Sequence, residues 1–163
     1  MPNGRTALHL VPETREQQRP SQWFCGHCGT VTETIPSPTA RVCGDCGLGL
    51  LLEARADLAP QPDEAFMVID RALTVQALSV GAEHLLAVPE AEAVNRPVTE
   101  LLVAAAVETL GAEALATVLL EAAGGADDEP HRVTVRPSNV FGVRMTARIG
   151  VCGPPRAALL VLE

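Results

Sequence analysis

The stretch CGHCGTVTETIPSPTARVCGDCG, residues 25–47, guides the interpretation of the whole chain. It contains one short pattern twice, CGHCG and CGDCG, which gives the cysteine spacing C-x2-C-x14-C-x2-C. Two cysteines two residues apart can place both thiolates around one ion when the backbone turns tightly, and the glycine after each pair permits such a turn. Four thiolates suit tetrahedral Zn²⁺ in a closed structural site. The spacing therefore predicts one structural Zn²⁺ per chain, bound by Cys25, Cys28, Cys43 and Cys46.

Two other interpretations of these cysteines have less support. A redox dithiol normally lies at the start of a helix in an α/β pattern, and neither pair has that context. His27 is an alternative ligand, but four cysteines already have suitable spacing, so we interpret it as a surface residue. The segment from about 22 to 53 resembles a zinc ribbon, in which such cysteine pairs lie on short β-hairpins. That resemblance implies flanking strands at Trp23-Phe24 and at 48–52.

Length and charge limit the classes of function. The chain has 163 residues, 47% of them apolar and 2% aromatic, which is enough for an ordinary domain with an aliphatic core plus a small domain. The net charge is −8, and all of the acidic excess follows residue 56. An acidic larger domain and a neutral ribbon do not favour binding to a phosphate backbone, so nucleic acid is not an expected partner.

Cysteine use and hydropathy indicate the compartment. With four cysteines assigned to metal, Cys152 has no partner for a disulfide, which is typical of a reducing cytoplasm. The N-terminus has no apolar run long enough for a signal peptide. The longest apolar stretch, 101–120, contains Glu108, Gly111 and Glu113, which argues against a membrane span. We therefore expect a cytoplasmic protein.

Composition shifts divide the chain into four parts. We predict a flexible tail at 1–20, a zinc ribbon at 21–56, a linker at 57–63 and a second domain at 64–163. Alternating and helical apolar patterns in the second domain predict five strands, with helices grouped between the second and third. The predicted strands are 65–70, 73–78, 131–136, 141–151 and 157–162. The predicted helices are 80–88, with Ser79 as N-cap, 90–94, 98–110 and 112–123. The fold class is therefore α+β.

Two local motifs support a family resemblance for the second domain. SVGAEHLLA at 79–87 is similar to "N-x-A-A-E-x-L-L-G", and NRPVTEL at 95–101 is similar to "G-R-P-L-x-E-L". With the element order, these motifs make residues 64–163 resemble a PAS domain. They depart from the pattern at Ser79, Ala87 and Asn95. The resemblance implies a five-stranded antiparallel sheet with helices on one face, dimerisation, ligand binding between sheet and helices, and signalling to another domain.

The resemblance also directs attention to possible ligands. The implied pocket is aliphatic, lined by Val68, Leu85, Leu115, Val143 and Met145, and suits a small apolar molecule; a filled core is the alternative. No flavin photochemistry of the LOV type is expected, because Arg96 rather than cysteine follows Asn95. No haem is expected either, because the helix at 112–123 has no axial histidine. We interpret His84 and His131 as ordinary histidines, and Cys152 as an inert small residue.

A row of polar side chains alternates along the fourth predicted strand of the second domain. Arg144, Thr146 and Arg148 lie on one face, which is typical of a solvated sheet surface. The alternative is a docking interface that Arg136 extends.

We found no constellation typical of an enzyme: no Ser/His/Asp set, no glycine-rich phosphate loop and no open metal site with three ligands. The sequence predicts a non-enzymatic signalling or regulatory protein, and transcription regulation is one role that fits this class. It is expected to form a homodimer through the PAS-like domain and to bind an unknown protein partner through the ribbon. Two alternatives are a nucleic-acid-binding zinc ribbon dimerised by its PAS-like domain, and a thiol/zinc redox switch.

Overall fold

A computed structural model of the chain describes residues 20–105, 112–125 and 129–163. Three predicted features lie outside these ranges in whole or in part: the tail before residue 20, the end of the helix at 98–110, and residues 126–128 of the loop before the third predicted strand. The described strands are β1 (Ser21–Cys25), β2 (Val31–Thr32), β3 (Leu51–Arg55), β4 (Ala65–Ile69), β5 (Val75–Leu78), β6 (Leu102–Ala104), β7 (His131–Pro137), β8 (Met145–Gly153) and β9 (Ala157–Leu162). The described helices are α1 (Val80–Leu86), α2 (Glu90–Ala93), a 3₁₀ turn (Val98–Glu100) and α3 (Ala112–Gly124).

These strands form one curled antiparallel sheet, so the α+β class is confirmed. Its order is β2-β1-β3-β8-β9-β4-β5, and β7 also pairs with β8 and carries β6 at its other edge. One edge of β8 therefore serves two strands: β7 pairs with Met145 to Ile149, and β3 pairs with Cys152 and Gly153. The ribbon strands thus continue the same sheet as the strands of the second domain.

Strands β4 and β9 are buried on both faces and separate two apolar clusters. Phe66 and Val68 point to one face, which we call the outer face, and Met67 and Ile69 point to the other, the inner face, because successive side chains alternate. The predicted central strand, β9, is confirmed: every one of its six residues is buried. On the inner face, side chains from α1, α2 and α3 complete an aliphatic cluster.

The ribbon covers the outer face. The Phe24 ring of β1 packs edge-on against the Phe66 ring of β4, with centroids 5.7 Å apart and planes at 90°. Leu58 and Ala59, from the predicted linker, are buried in the same cluster. The linker segment therefore adds to the packing between ribbon and sheet, while the division into domains stays a prediction.

The apolar run that follows the "NRPVTEL" motif differs from its predicted helix. The chain makes a 3₁₀ turn at Val98–Glu100 and then forms β6, which pairs with β7 through Leu102 and Pro137. The prediction of helix at 98–105 is therefore wrong. A short apolar run fits a buried strand as well as a helix, and here a pairing with a strand more than thirty residues away decides the outcome.

The strand predicted at 141–151 is shifted toward the C-terminus. β8 begins at Met145, and Phe141 precedes it with 88% of its surface exposed. Cys152, predicted to lie in a turn, is instead the eighth residue of β8 and is 3% exposed. The predicted alternation assigned the residues of β8 to the correct faces, but alternation alone does not show where pairing with β7 starts.

The predicted N-cap is confirmed. Ser79 Oγ accepts a hydrogen bond from Ala82 N at 3.2 Å and so caps α1. The same oxygen accepts a second bond from Phe66 N at 2.9 Å. Ser79 therefore joins the start of α1 to strand β4. Across the described ranges, no helix has both the length and the apolar character needed to cross a bilayer.

Candidate metal centre

The four cysteines of the ribbon form one cluster. Their Sγ atoms all lie within 4.8 Å of one another, with Cys25 to Cys46 at 3.7 Å and Cys28 to Cys43 at 3.9 Å. These separations exceed the roughly 2.05 Å of a disulfide. They match the edge of a tetrahedron, about 3.8 Å, that follows from Zn–S bonds of about 2.3 Å. The cluster can therefore bind a metal ion such as zinc.

Both cysteine pairs use the same backbone turn. Gly29 N donates to Cys25 O at 3.0 Å, and Gly47 N donates to Cys43 O at 3.0 Å. The two glycines have φ angles of 75° and 67°, a region that side chains with a Cβ rarely adopt. Glycine at these two positions is what lets each pair turn its sulfurs toward the other.

Backbone N–H groups point at two of the sulfurs. Cys25 Sγ lies 3.4 Å from His27 N and 3.5 Å from Cys28 N, and Cys46 Sγ lies 3.4 Å from Gly49 N. Such contacts stabilise thiolates, as a metal site requires. Gly49 was missed by sequence reasoning. A Cβ at this position would lie 2.3 Å from Cys25 Sγ, so only glycine fits. Its position directly after the second cysteine pair, two residues beyond Gly47, is the signal that could have identified it.

The surroundings shift the pKa values of two of the four cysteines in opposite directions. Burial raises the pKa of Cys25 to about 12, although the two N–H groups near its sulfur oppose that shift. The N–H groups of Gly49 and Leu48 lower the pKa of Cys46 to about 6. With its pKa raised, the Cys25 thiol stays protonated near neutral pH, and a cation beside the sulfur would favour the thiolate. A cation such as Zn²⁺ would supply that charge, and four sulfur ligands suit its tetrahedral geometry, so the donor set fits.

His27 connects the cysteine cluster to helix α2. Its Nδ1 lies 2.8 Å from Glu90 Oε2 at the start of α2, and Glu90 Oε1 accepts from Leu78 N at 3.0 Å. His27 is outside the metal-ligand group but is more than a surface residue. Glu90 was missed, because a separation of 63 positions along the chain leaves no local pattern that pairs it with His27.

The five predicted pocket residues do not come together around one cavity. Leu115 and the partly buried Met145 belong to the inner cluster, whereas Val68 lies in the outer cluster. Leu85 and Val143 are each 42% exposed. The physical reason is that these side chains point in different directions. Val68 points to the opposite face of β4 from Met67, Leu85 lies on the exposed side of α1, and Val143 precedes the first residue of β8. The prediction that these five side chains line one pocket is therefore wrong.

The three predicted interface arginines differ in their contacts. The Arg148 guanidinium lies 2.9 Å from Glu64 Oε2 and 3.3 Å from Glu163 Oε1. The Arg136 guanidinium lies over the Phe141 ring at 5.7 Å from its centroid, and Arg144 is exposed. Arg148 thus joins segments within the chain, while the interface stays a prediction.

The remaining sequence candidates are placed as follows. Cys152 is buried in the outer cluster, and burial raises its pKa to about 12, which disfavours the reactive thiolate. His84 is exposed on α1, and His131 is half-buried at the start of β7. Neither lies in the four-cysteine cluster.

Comparisons with known proteins found similarity to solved structures. No family model matches this chain, and no curated protein matches it. The crystal structure of the E. coli DhaR(N)-DhaL complex is similar in fold over 66% of this chain, with 18% sequence identity and a TM-score of 0.42. The chain spans 33% of the length of that matched chain. At this level of similarity, function has to be argued from the residues themselves.

Proposed function

We propose that this chain is a non-enzymatic regulatory protein in which a Zn²⁺-bound ribbon is fixed to a PAS-like domain. The observation that carries the proposal is the continuity of the metal-binding hairpin with the main sheet. β1 and β3 support the cysteine turns, and β3 pairs with β8 through Glu53 and Ala54. In this proposal, the pairing of β3 with β8 is the route by which a change on the ribbon would reach the sheet.

Several features support a PAS-like second domain. Its sheet is antiparallel, and the helices lie between its second and third long strands and pack on one face. Ala87 and Asn95 have φ angles of 52° and 67°, and both stand where the PAS-type motifs have glycine. The motifs are therefore consistent with the backbone, because both positions are left-handed and glycine adopts that conformation most easily.

The chain's own residues have distinct roles in this proposal. Cys25, Cys28, Cys43 and Cys46 would hold one Zn²⁺, which cross-links the two turns. Phe24 holds the ribbon against the sheet. Exposed apolar side chains on the ribbon, Ile35, Val42 and Leu48, support a protein partner at that end. Homodimerisation would use the PAS-like domain, and the cytoplasm is the proposed compartment.

The experiment that tests this proposal is native mass spectrometry of the full chain purified without added metal. We expect one Zn²⁺ per chain and a dimer. Cys28→Ser combined with Cys43→Ser should abolish metal binding, whereas the matched control Cys152→Ala should retain one Zn²⁺. Metal-free protein with two disulfides would overturn the proposal, and a strict monomer would remove its dimerisation part.

The two alternative functions remain predictions, and experiments on the same purified protein distinguish them. For a redox switch, mild peroxide should expel the metal in the mass spectrum. For a nucleic-acid binder, DNA affinity should fall steeply as salt rises. Stable metal retention and no DNA binding leave the regulatory proposal in place.

A further inference from the structure

Charge is unevenly distributed along the chain after residue 56. Residues 130–162 contain five arginines and no acidic residue, whereas residues 57–129 contain fourteen acidic residues and two arginines. Opposite charges on two partners favour their encounter and fix how they dock. A second copy of this chain therefore offers an acidic surface to the basic segment and a basic surface to the acidic one.

An exposed apolar loop lies within the basic segment. It spans residues 138–144 between β7 and β8, and we call it the Phe141 loop, because the Phe141 side chain is 88% exposed. Val140 and Val143 are exposed beside it. The Arg136 guanidinium lies 5.7 Å from the centroid of the Phe141 ring, and Arg144 is exposed at the end of the loop. Aromatic residues and arginine are enriched at the centres of protein interfaces, so this loop has the composition of an interface anchor.

An apolar cleft of about 400 Å³ lies between the ribbon and the outer face of the sheet. Two of its residues, Leu48 and Leu50, are 76% and 47% exposed, so apolar surface is uncovered at its mouth. Its other apolar walls come from the ribbon and from the sheet, at Leu52, Val68, Ala77 and Ala157.

The rim of this cleft is acidic. Asp70 and Glu90 line it, and the hydrogen bonds that their carboxylates accept from backbone N–H groups do not cancel the negative charge. The counter-charges are few. His27 lies beside Glu90, and Arg156, the one arginine among the described lining residues, donates to Gly124 O at the end of α3. The rim therefore favours an occupant that carries positive charge.

The Phe141 loop and the cleft lie at opposite ends of the sheet. β8 begins at Met145 beside the loop and ends at Gly153, close to Pro155 and Ala157 of the cleft. Its nine residues span roughly 25 Å at about 3.3 Å per residue, which separates the loop from the cleft of its own chain. When two chains lie antiparallel about a two-fold axis, each loop meets the cleft of the other copy, and the two contacts close the assembly at a dimer.

We propose that the cleft binds the Phe141 loop of a second copy of this chain. The Phe141 ring then lies between ribbon and sheet, and Arg136 and Arg144 lie beside the acidic rim. The contact removes apolar surface of both copies from water, at Leu48 and at the ring. This inference deepens the proposed function and rests on it, because it assigns the two surfaces of the homodimer.

Native mass spectrometry of the full metal-loaded chain, over a range of protein concentrations, tests the interface. It reports the dimer dissociation constant and the metal content of the same sample. Phe141→Ser removes an apolar ring from both contacts and should raise the dissociation constant at least about tenfold. The matched control Ile35→Ser changes a 77% exposed side chain outside the cleft and should leave the constant unchanged. Equal dimerisation by the two variants would overturn the proposal.

A mixing experiment tests whether loop and cleft meet each other. Leu48→Arg places a cation at the mouth of the cleft and should weaken the dimer as Phe141→Ser does. When the two variants are mixed, one supplies an intact cleft and the other an intact loop. Heterodimers, which the mass spectrum separates from both homodimers, should then exceed their statistical share. A statistical share would overturn the contact, and assemblies that grow beyond the dimer would overturn its two-fold arrangement.

Arg144→Gln tests the acidic rim. At low ionic strength it should weaken the dimer by about two- to fivefold, as loss of an exposed charge pair does. The effect should vanish at about 1 M salt, where the screening length is about 3 Å. The control Arg132→Gln, at an exposed arginine that pairs with Glu163, should have less effect at low ionic strength. Equal losses for the two arginines would overturn the contact between Arg144 and the rim.

The same spectra distinguish failure of this interface from failure of the proposed function. Every substituted side chain is exposed, and circular dichroism verifies that each variant keeps the fold of the parent. A metal-loaded dimer that is insensitive to Phe141→Ser would overturn the interface alone. A metal-loaded parent that stays monomeric would overturn the interface together with the proposed dimerisation, and metal-free parent protein would overturn the proposed function.

Discussion

The two faces of the sheet are covered in different ways. The inner face meets α1, α2 and α3, whose aliphatic side chains form a cluster with no aromatic member among the described residues. The outer face meets the ribbon, where Phe24 and Phe66 pack ring against ring beside Leu58. The inner cover is held by apolar burial and by hydrogen bonds such as the one from Phe66 N to Ser79 Oγ, while the outer cover includes a hairpin whose four cysteines can bind a metal. We therefore expect the cover of the outer face, but not that of the inner face, to depend on metal.

Metal removal should produce the largest difference in stability between the covers of the two faces. Structural zinc contributes roughly 10–16 kcal/mol to the folding of small zinc domains, so a chelated chain should lose the ribbon. Hydrogen exchange measured by mass spectrometry should show β1 and β3 unprotected, with β4 and β9 still protected. Simultaneous loss of protection in all four strands would show that the faces form one cooperative unit.

Removing the aromatic contact should weaken the outer cover without touching the metal ligands. Phe24→Ala deletes a fully buried ring and should reduce the free energy of unfolding by about 3–5 kcal/mol, as measured by urea denaturation. Trp23→Ala, at the neighbouring half-buried position of β1, is the control and should cost less. A larger loss at Trp23 would contradict the assignment of Phe24 to the outer core.

The inner cover has its own anchor in Ser79. Ser79→Ala removes the cap of α1 and leaves the N–H of Phe66 without its partner, which should cost about 1–2 kcal/mol. Urea denaturation measures the change, and Ser79→Thr should restore most of it because the hydroxyl is kept. An alanine variant as stable as the parent would rule out this double role.

The contact between His27 and Glu90 should have the smallest effect. Both side chains are about a quarter exposed, so the pair should contribute roughly 0–1 kcal/mol. A double-mutant cycle with His27→Ala and Glu90→Gln measures the coupling. Coupling well above that range would mean that this contact, in addition to Phe24, holds the ribbon to the sheet.

The candidate metal centre could be predicted because its information is local. Cys25 and Cys28 are joined by one turn, and so are Cys43 and Cys46, so their spacing restricts where the sulfurs can point. Ser79 was predictable for the same reason, since a cap acts on residues two or three positions ahead. Central burial of β9 followed from an apolar run on both faces.

The errors fall where distant partners decide. The apolar run after Glu100 was predicted as helix, yet β6 pairs with β7. Val68 and Val143 were assigned to a common pocket, although Val68 is buried on the outer face of the sheet and Val143 precedes strand β8. Nothing near Glu90 in sequence indicates that it meets His27 across the ribbon boundary.

By itself, the sequence determined the four-cysteine grouping, the cap of α1, the central position of β9 and the α+β class. These depend on spacing and periodicity over a few residues. The tertiary structure alone decided that β3 joins the edge of β8, that Phe24 packs on Phe66, and that a cleft remains beside the cysteine turns. The physical reason is that apolar burial is non-directional: it requires each apolar face to be covered, but only long-range packing selects what covers it.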